Sequence, residues 1–157
     1  MSEKVKKSAM EVASDYLANR MRTVSEVRKR LQEKEFDETE IEETINDLIG
    51  LRYLDDYEYA KRYYEHNAEK KRGSFRAMRE LEEKGVDKET VKFALEDFKF
   101  ESKVDEYKVA LAVAENEIEN AKIIDEKLVA KIGRNLNMRG FRKDDIFRVL
   151  EKVREGK

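Results

Sequence analysis

An all-α fold is predicted by three observations. Apolar residues recur three and four positions apart along most of the chain, proline is absent with only six glycines present, and one apolar pattern returns after 50 residues and again after a further 55. The first spacing places apolar side chains on one face of a 3.6-residue helix. The second removes the residues that most often interrupt helices. The third divides the helices into copies of one small unit. With 45% of the 157 residues charged and 39% apolar, each helix must bury a narrow stripe and leave a wide face in water.

The elements follow in order. A first helix is expected from about Val5 to Met21, with Ala9, Val12, Ala13, Tyr16 and Leu17 on its buried face. Thr23 with Glu26 three residues on has the form of a capping box. It opens a helix with Val24, Val27 and Leu31 on one side and Arg28, Lys29 and Arg30 around the other. Phe36 lies in a turn, and Asp37 with Glu40 starts a third helix carrying Ile41, Ile45 and Leu48. Asp55 and Glu58 are expected to cap the fourth reciprocally. Its stripe is Tyr57, Ala60 and Tyr64, which leaves Tyr59 and Tyr63 as the more exposed tyrosines and Lys61 and Arg62 in solvent. Gly73 is expected to stop that helix and Ser74 to cap the next, whose stripe of Phe75, Met78 and Leu81 ends at Gly85. A sixth helix spans Lys88 to Phe100. The last three begin at Asp105, at Asp125 and after Phe141, and the closing stripe is Ile146, Val149, Leu150 and Val153.

A shift of 50 residues pairs Leu31 with Leu81, Lys34 with Lys84, Asp37 with Asp87, Asp55 with Asp105 and Ala60 with Ala110. A further shift of 55 pairs Leu81 with Leu136, Gly85 with Gly140 and Val91 with Ile146. Three tandem three-helix repeats are implied, divided as residues 1–55, 56–104 and 105–157. A trio of short helices buries little by itself, so neighbours are expected to stack, share a continuous core and form an elongated, curved array.

The chain has no cysteine, which excludes disulfides and thiolate metal sites, and no apolar run approaches the roughly 20 residues of a membrane span. The N-terminal residues lack the apolar core of a secretory signal, so a cytoplasmic protein is expected. The formal net charge of −2 conceals blocks. Glu33 to Glu58 holds 11 acidic and 2 basic residues, Lys61 to Arg79 holds 2 acidic and 7 basic, and Lys131 to Arg154 holds 3 acidic and 8 basic. His66 is the only histidine. Asp55 and Asp56 form an acidic pair, but neighbours on a helix point about 100° apart, and the pair recurs as Asp105 and Glu106 at the next helix start. That reads as capping. No nucleophile–base pair, phosphate loop or metal spacing is present, so neither catalysis nor a cofactor is expected.

Tyr53-Leu54-Asp55-Asp56 followed by Tyr59-Ala60, Gly73, Glu80-Leu81 and Lys84-Gly85-Val86 is a specific series, and through it the chain resembles the RecX family of recombination regulators. The pattern is densest in the middle repeat and, through the repeat, extends over nearly the whole chain. The resemblance implies a cytoplasmic, monomeric bacterial protein that docks in the groove of the RecA–DNA filament, contacts DNA weakly or indirectly, and restrains filament growth, strand exchange and co-protease activity. It implies a regulator rather than an enzyme. Two positions depart from the family pattern: Glu35 stands before Phe36 where glycine is usual, and Arg142 and Lys143 follow Phe141 in place of an aspartate cap.

Candidate contact residues are the cations. Lys70, Lys71, Arg72, Arg76 and Arg79 gather at a helix junction where they can meet phosphates or an acidic face, with Lys61 and Arg62 on the preceding helix. Arg28, Lys29 and Arg30 occupy the equivalent helix of the first repeat, and Arg139, Arg142, Lys143 and Arg148 lie in the third. Stacked repeats would align them in a broken positive stripe. Solvated faces and local ion pairs are the alternative use of such residues. Two further readings compete: a direct DNA binder, since the helices around Gly85 have helix-turn-helix proportions, and a helical-repeat scaffold for another protein. Glu89, Glu96 and Asp97 on the would-be reading helix oppose the first of these.

Overall fold

Ser8, Thr23, Asp37, Asp55, Asp87, Asp105 and Asp125 each hold extended backbone and accept a hydrogen bond from an N–H two or three residues on, which starts a helix. The computed structural model describes residues 6–156. Its helices are α1 (Ala9–Asn19), α2 (Val24–Glu33), α3 (Glu38–Gly50), α4 (Asp56–Glu69), α5 (Ser74–Glu83), α6 (Lys88–Ser102), α7 (Glu106–Glu119), α8 (Glu126–Met138) and α9 (Lys143–Glu155). No strand occurs among the described residues.

The main helix packings run α1 to α2 to α3, α4 to α5 to α6 and α7 to α8 to α9, so three helices close on one another three times. Val27, Leu31, Ile41, Ile45 and Leu48 lead the first core, Tyr64, Leu81, Val91 and Phe98 the second, and Val129, Ile132, Leu136 and Val149 the third. These cores are separate, which corrects the expected continuous core. Ten-residue helices such as α2 and α5 fill their short stripes within one trio, and little apolar surface remains for a neighbour. The surface shows the result: 10809 Å² is exposed, about 30% more than the roughly 8,200 Å² of a compact monomer of this mass.

Local differences from the sequence reading have physical causes. α1 is shorter than expected, and Val5 lies outside the described residues. Among the described residues only Thr23 and Glu26 form the full capping box; the Glu58 carboxylate instead takes Arg62. α4 is ended by Lys71, at φ 57°, and Gly73 is the N-cap of α5, so Ser74 does not cap it. Tyr59 is buried beside Ala60, whereas Phe75 is 47% exposed and Ala77 takes its place in the core.

The units meet through polar groups at helix N-termini, where N–H groups have no partner within the helix. At the first junction the Asp56 carboxylate accepts from Val24 N–H at 2.9 Å, and Thr23 Oγ1 donates to the Lys84 carbonyl at 2.8 Å. At the second, Glu106 Oε1 accepts from Ser74 N–H at 3.2 Å, while Gly73 and Phe75 N–H donate to the Arg139 and Gly140 carbonyls at 2.8 and 3.1 Å. A Cβ on Gly73 would lie 2.2 Å from the Gly140 oxygen. Burial pushes the Asp56 and Glu106 carboxyls above the ordinary range, and the hydrogen bonds they accept only partly offset it.

Three outcomes are expected. Glu35 holds φ 64° at the position where Gly85 and Gly140 hold 87° and 88°. Glu35→Gly relieves a left-handed strain of about 1–2 kcal/mol against a glycine entropy cost of about 0.5–1 kcal/mol, so the urea midpoint should rise; a fall would contradict the assigned backbone. Gly73→Ala should lower stability by about 1–3 kcal/mol, with faster hydrogen exchange at Ser74 and Phe75. At Glu106, Gln keeps an acceptor for Ser74 N–H and removes a buried charge. Because the native carboxyl titrates above its unfolded value, the charge penalty is absent in acid and complete once pH has risen through the native value. Glu106→Gln should therefore gain on the wild type as pH climbs from about 4 to 7, whereas Glu106→Ala should lose about 1 kcal/mol. Thermal melts across that range measure both.

Candidate functional site

Many of the candidate cations are held by the fold. Arg28 forms a two-pronged contact with Glu42 on α3, at 3.0 and 3.4 Å. Lys61 binds Glu101 on α6 at 2.6 Å with its side chain only 15% exposed, and Arg62 binds Glu58 one turn back. Arg76 donates to Glu80, which also accepts from the Tyr63 hydroxyl. Burial opposes ionisation of Glu80, but these two donors hold it below the usual carboxylate range. Burial and the Glu80 charge raise the Tyr63 hydroxyl in turn. Arg148 lies 3.9 Å above the Tyr107 ring with Asp145 nearby, and Arg30 lies 5.5 Å from the Tyr16 ring that Arg22 also covers.

Two groups read separately in the sequence are brought together. The α4–α5 turn carries Lys70, Lys71 and Arg72, and the α8–α9 turn carries Arg139, Arg142 and Lys143. Arg139 Nη1 donates to the Lys71 carbonyl at 3.3 Å, Gly140 sits against the Arg76 backbone, and Arg142 lies 5.7 Å from the Phe75 ring. The second junction is thus a joint positive surface of two units. Arg20, Arg22 and Lys84 occupy the same places at the first junction. They escape a search for charge density, but the 50-residue shift pairs Arg20 with Lys70 and Arg22 with Arg72.

A row of free cations remains. Lys29 on α2, Arg79 on α5 and Arg134 on α8 are exposed, and none makes an ion pair among the described residues. They occupy one register: each lies two residues after a buried Val27, Ala77 or Ile132 and two before Leu31, Leu81 or Leu136. Arg134 goes unnoticed by local charge, yet the shift pairing Leu81 with Leu136 also pairs Arg79 with it. Such a row carries charge without bending to an internal partner, the property a polyanion-facing surface needs. No helix among the described residues is long and apolar enough to cross a membrane.

Comparison with known proteins agrees with this architecture. Residues 9–48 match the first three-helix domain of RecX and residues 55–95 its second. Regulatory protein RecX of Bacillus licheniformis is 33% identical over 149 residues, covering 94% of this chain and 56% of that protein. The Bacillus subtilis protein of the same name is 33% identical over 143 residues and 53% covered, so the chain spans about half the length of these relatives. Regulatory protein RecX of Vibrio parahaemolyticus is 32% identical over 139 residues, with 88% of this chain and 87% of that protein covered. The crystal structure of RecX from Lactobacillus salivarius superposes with a TM-score of 0.78 at 25% identity over 92% of this chain and 94% of that one. With the three-helix unit, its repeat and the near full-length match to the Vibrio protein in agreement, the chain belongs to the RecX family of regulatory proteins.

Proposed function

We propose that this protein binds the RecA recombinase filament on DNA and inhibits its growth or activity, acting in the cytoplasm as a monomeric regulator without catalysis of its own. The observation that carries the reading is the repeated placement of an exposed cation, without an ion pair among the described residues, at the same register of each unit's second helix, at Lys29, Arg79 and Arg134, on an extended three-unit array. A nucleoprotein filament offers phosphates as a dense line of charge, roughly one per 3.4 Å of each strand. A row with any unit spacing finds partners along such a line, whereas an isolated acidic patch would have to match it. The cations gathered at the second junction, Lys70, Lys71, Arg72, Arg142 and Lys143, supply further positive charge for such contacts. The units, divided at residues 55/56 and 104/105, are the segments that span neighbouring filament subunits.

Helix-turn-helix reading of duplex DNA is disfavoured by α6, the helix that would enter the groove. Glu89, Glu96, Phe93 and Phe100 are exposed on it, and carboxylates facing phosphates repel them.

In a RecA-driven strand-exchange or ATPase assay, sub-stoichiometric protein should inhibit; no effect at any ratio removes the proposal. Combining Lys29→Gln, Arg79→Gln and Arg134→Gln should leave the thermal melt unchanged, because none of the three is paired. It should weaken filament binding and reduce the slope of log affinity against log salt by about 2–2.7, at about 0.7–0.9 for each phosphate no longer neutralised. An unchanged slope would assign these residues to solvation alone.

A further inference from the structure

The second unit carries a feature that its own packing does not use. Phe93 is 58% exposed and Phe100 is 83% exposed, both within α6. At 100° per residue they point within about 20° of each other, about 140–180° from Val91 and Phe98 and about 100–120° from Ala94, all three buried in the core. Seven residues separate them, about 10.5 Å along the helix axis. Glu89 and Glu96 are exposed on the same ridge, and Asp97, which accepts from the Tyr57 hydroxyl, borders it. Other large exposed apolar residues do not pair in this way: Met21, Leu51, Tyr53 and Ile123 lie outside helices, Ile49 and Met138 sit at helix ends, Phe75 has Arg142 near its ring, and Phe147, 63% exposed within α9, stands without a second ring one heptad away.

The ridge is not a property of the repeat. Phe93 and Phe100 correspond to Glu43 and Gly50 in α3 and to Arg148 and Glu155 in α9. A doublet confined to one unit, with nothing to do in that unit's core, marks a contact made once per molecule. Two aromatic anchors seven residues apart on an exposed helix face match the spacing by which helices seat in apolar grooves. The carboxylates around them repel phosphate and attract lysine or arginine.

We infer that the outer ridge of α6 is a protein-docking surface for an apolar patch rimmed by cations on the recombinase protomer, separate from the cation row that faces DNA. This rests on the filament reading, and the two divide the molecule's contacts: positive register toward phosphate, acidic aromatic ridge toward protein. The anchors supply desolvated area, and Glu89 and Glu96 fix which surface is accepted.

Co-sedimentation with RecA filaments on single-stranded DNA tests it, using the full chain. Phe93→Ser with Phe100→Ser should keep or raise the melting temperature, since two exposed rings are removed, and should weaken pelleting at least tenfold with the salt slope unchanged. Glu89→Lys with Glu96→Lys should weaken pelleting comparably although it adds positive charge; stronger pelleting would identify α6 as facing DNA and overturn the inference. Wild-type protein that pellets while the Phe93/Phe100 variant pellets equally well overturns it while leaving the filament reading intact. Wild-type protein that fails to pellet at all removes both. If sedimentation velocity of the isolated chain shows a dimer that the phenylalanine variant abolishes, with pelleting unaffected, the ridge serves a second copy and the inference is likewise overturned.

Discussion

The N-termini of α2 and α5 are completed from outside their own unit, and much of the architecture depends on that. A helix start leaves N–H groups without acceptors. Here Asp56 and Glu106, each the first residue of the next unit's leading helix, supply the missing oxygen to Val24 and Ser74. The turn after the next unit's second helix closes over the same place, through Lys84 and Gly85 at one junction and Arg139 and Gly140 at the other. Such contacts need backbones to approach without a Cβ between them. That requirement explains glycine at positions 73 and 140, where a Cβ would strike the facing backbone, while at Gly85 a Cβ would strike the Ser25 side chain and both Gly85 and Gly140 also hold a left-handed φ.

A junction of this kind sets direction. Each unit satisfies the one before it and closes its own core, so the array grows along one axis and never wraps into a bundle. Most apolar burial stays within the trios, and between trios hydrogen bonds and two half-buried carboxylates lead the contacts. At neutral pH these carboxylates oppose the docking they geometrically complete, because burial disfavours their charge. Junctions are therefore held less firmly than cores.

The fold was legible wherever periodicity carried it. Stripes such as Ile41, Ile45 and Leu48, aspartates ahead of helices and the shifts of 50 and 55 residues give the trios and their order. What periodicity does not encode was illegible. Gly73 reads as a helix stop because glycine commonly ends helices, yet its place is decided by the Gly140 carbonyl, 67 residues away in sequence. Tyr59 leaves the stripe counted from Tyr57 but turns into the core, since α4 packs against both α5 and α6 and buries a wider face. For the cations, charge density found the junction group. It could not tell Arg28, spent on Glu42, from its free neighbour Lys29, because pairing is settled by the adjacent helix.

Separate cores and polar junctions also bear on how such an array meets a polymer. Had the three trios shared one core, changing the angle between two of them would have opened apolar surface, at about 25 cal/mol per Å² exposed. As built, the change strains a few hydrogen bonds at Val24, Gly73, Ser74 and Phe75, and water can replace each at a net cost of roughly 1 kcal/mol. In the proposed filament complex, rigid trios joined by polar junctions would let the cation register follow a curved line of phosphates. Residues fixed within one trio, such as the α6 ridge, meanwhile keep their own geometry intact.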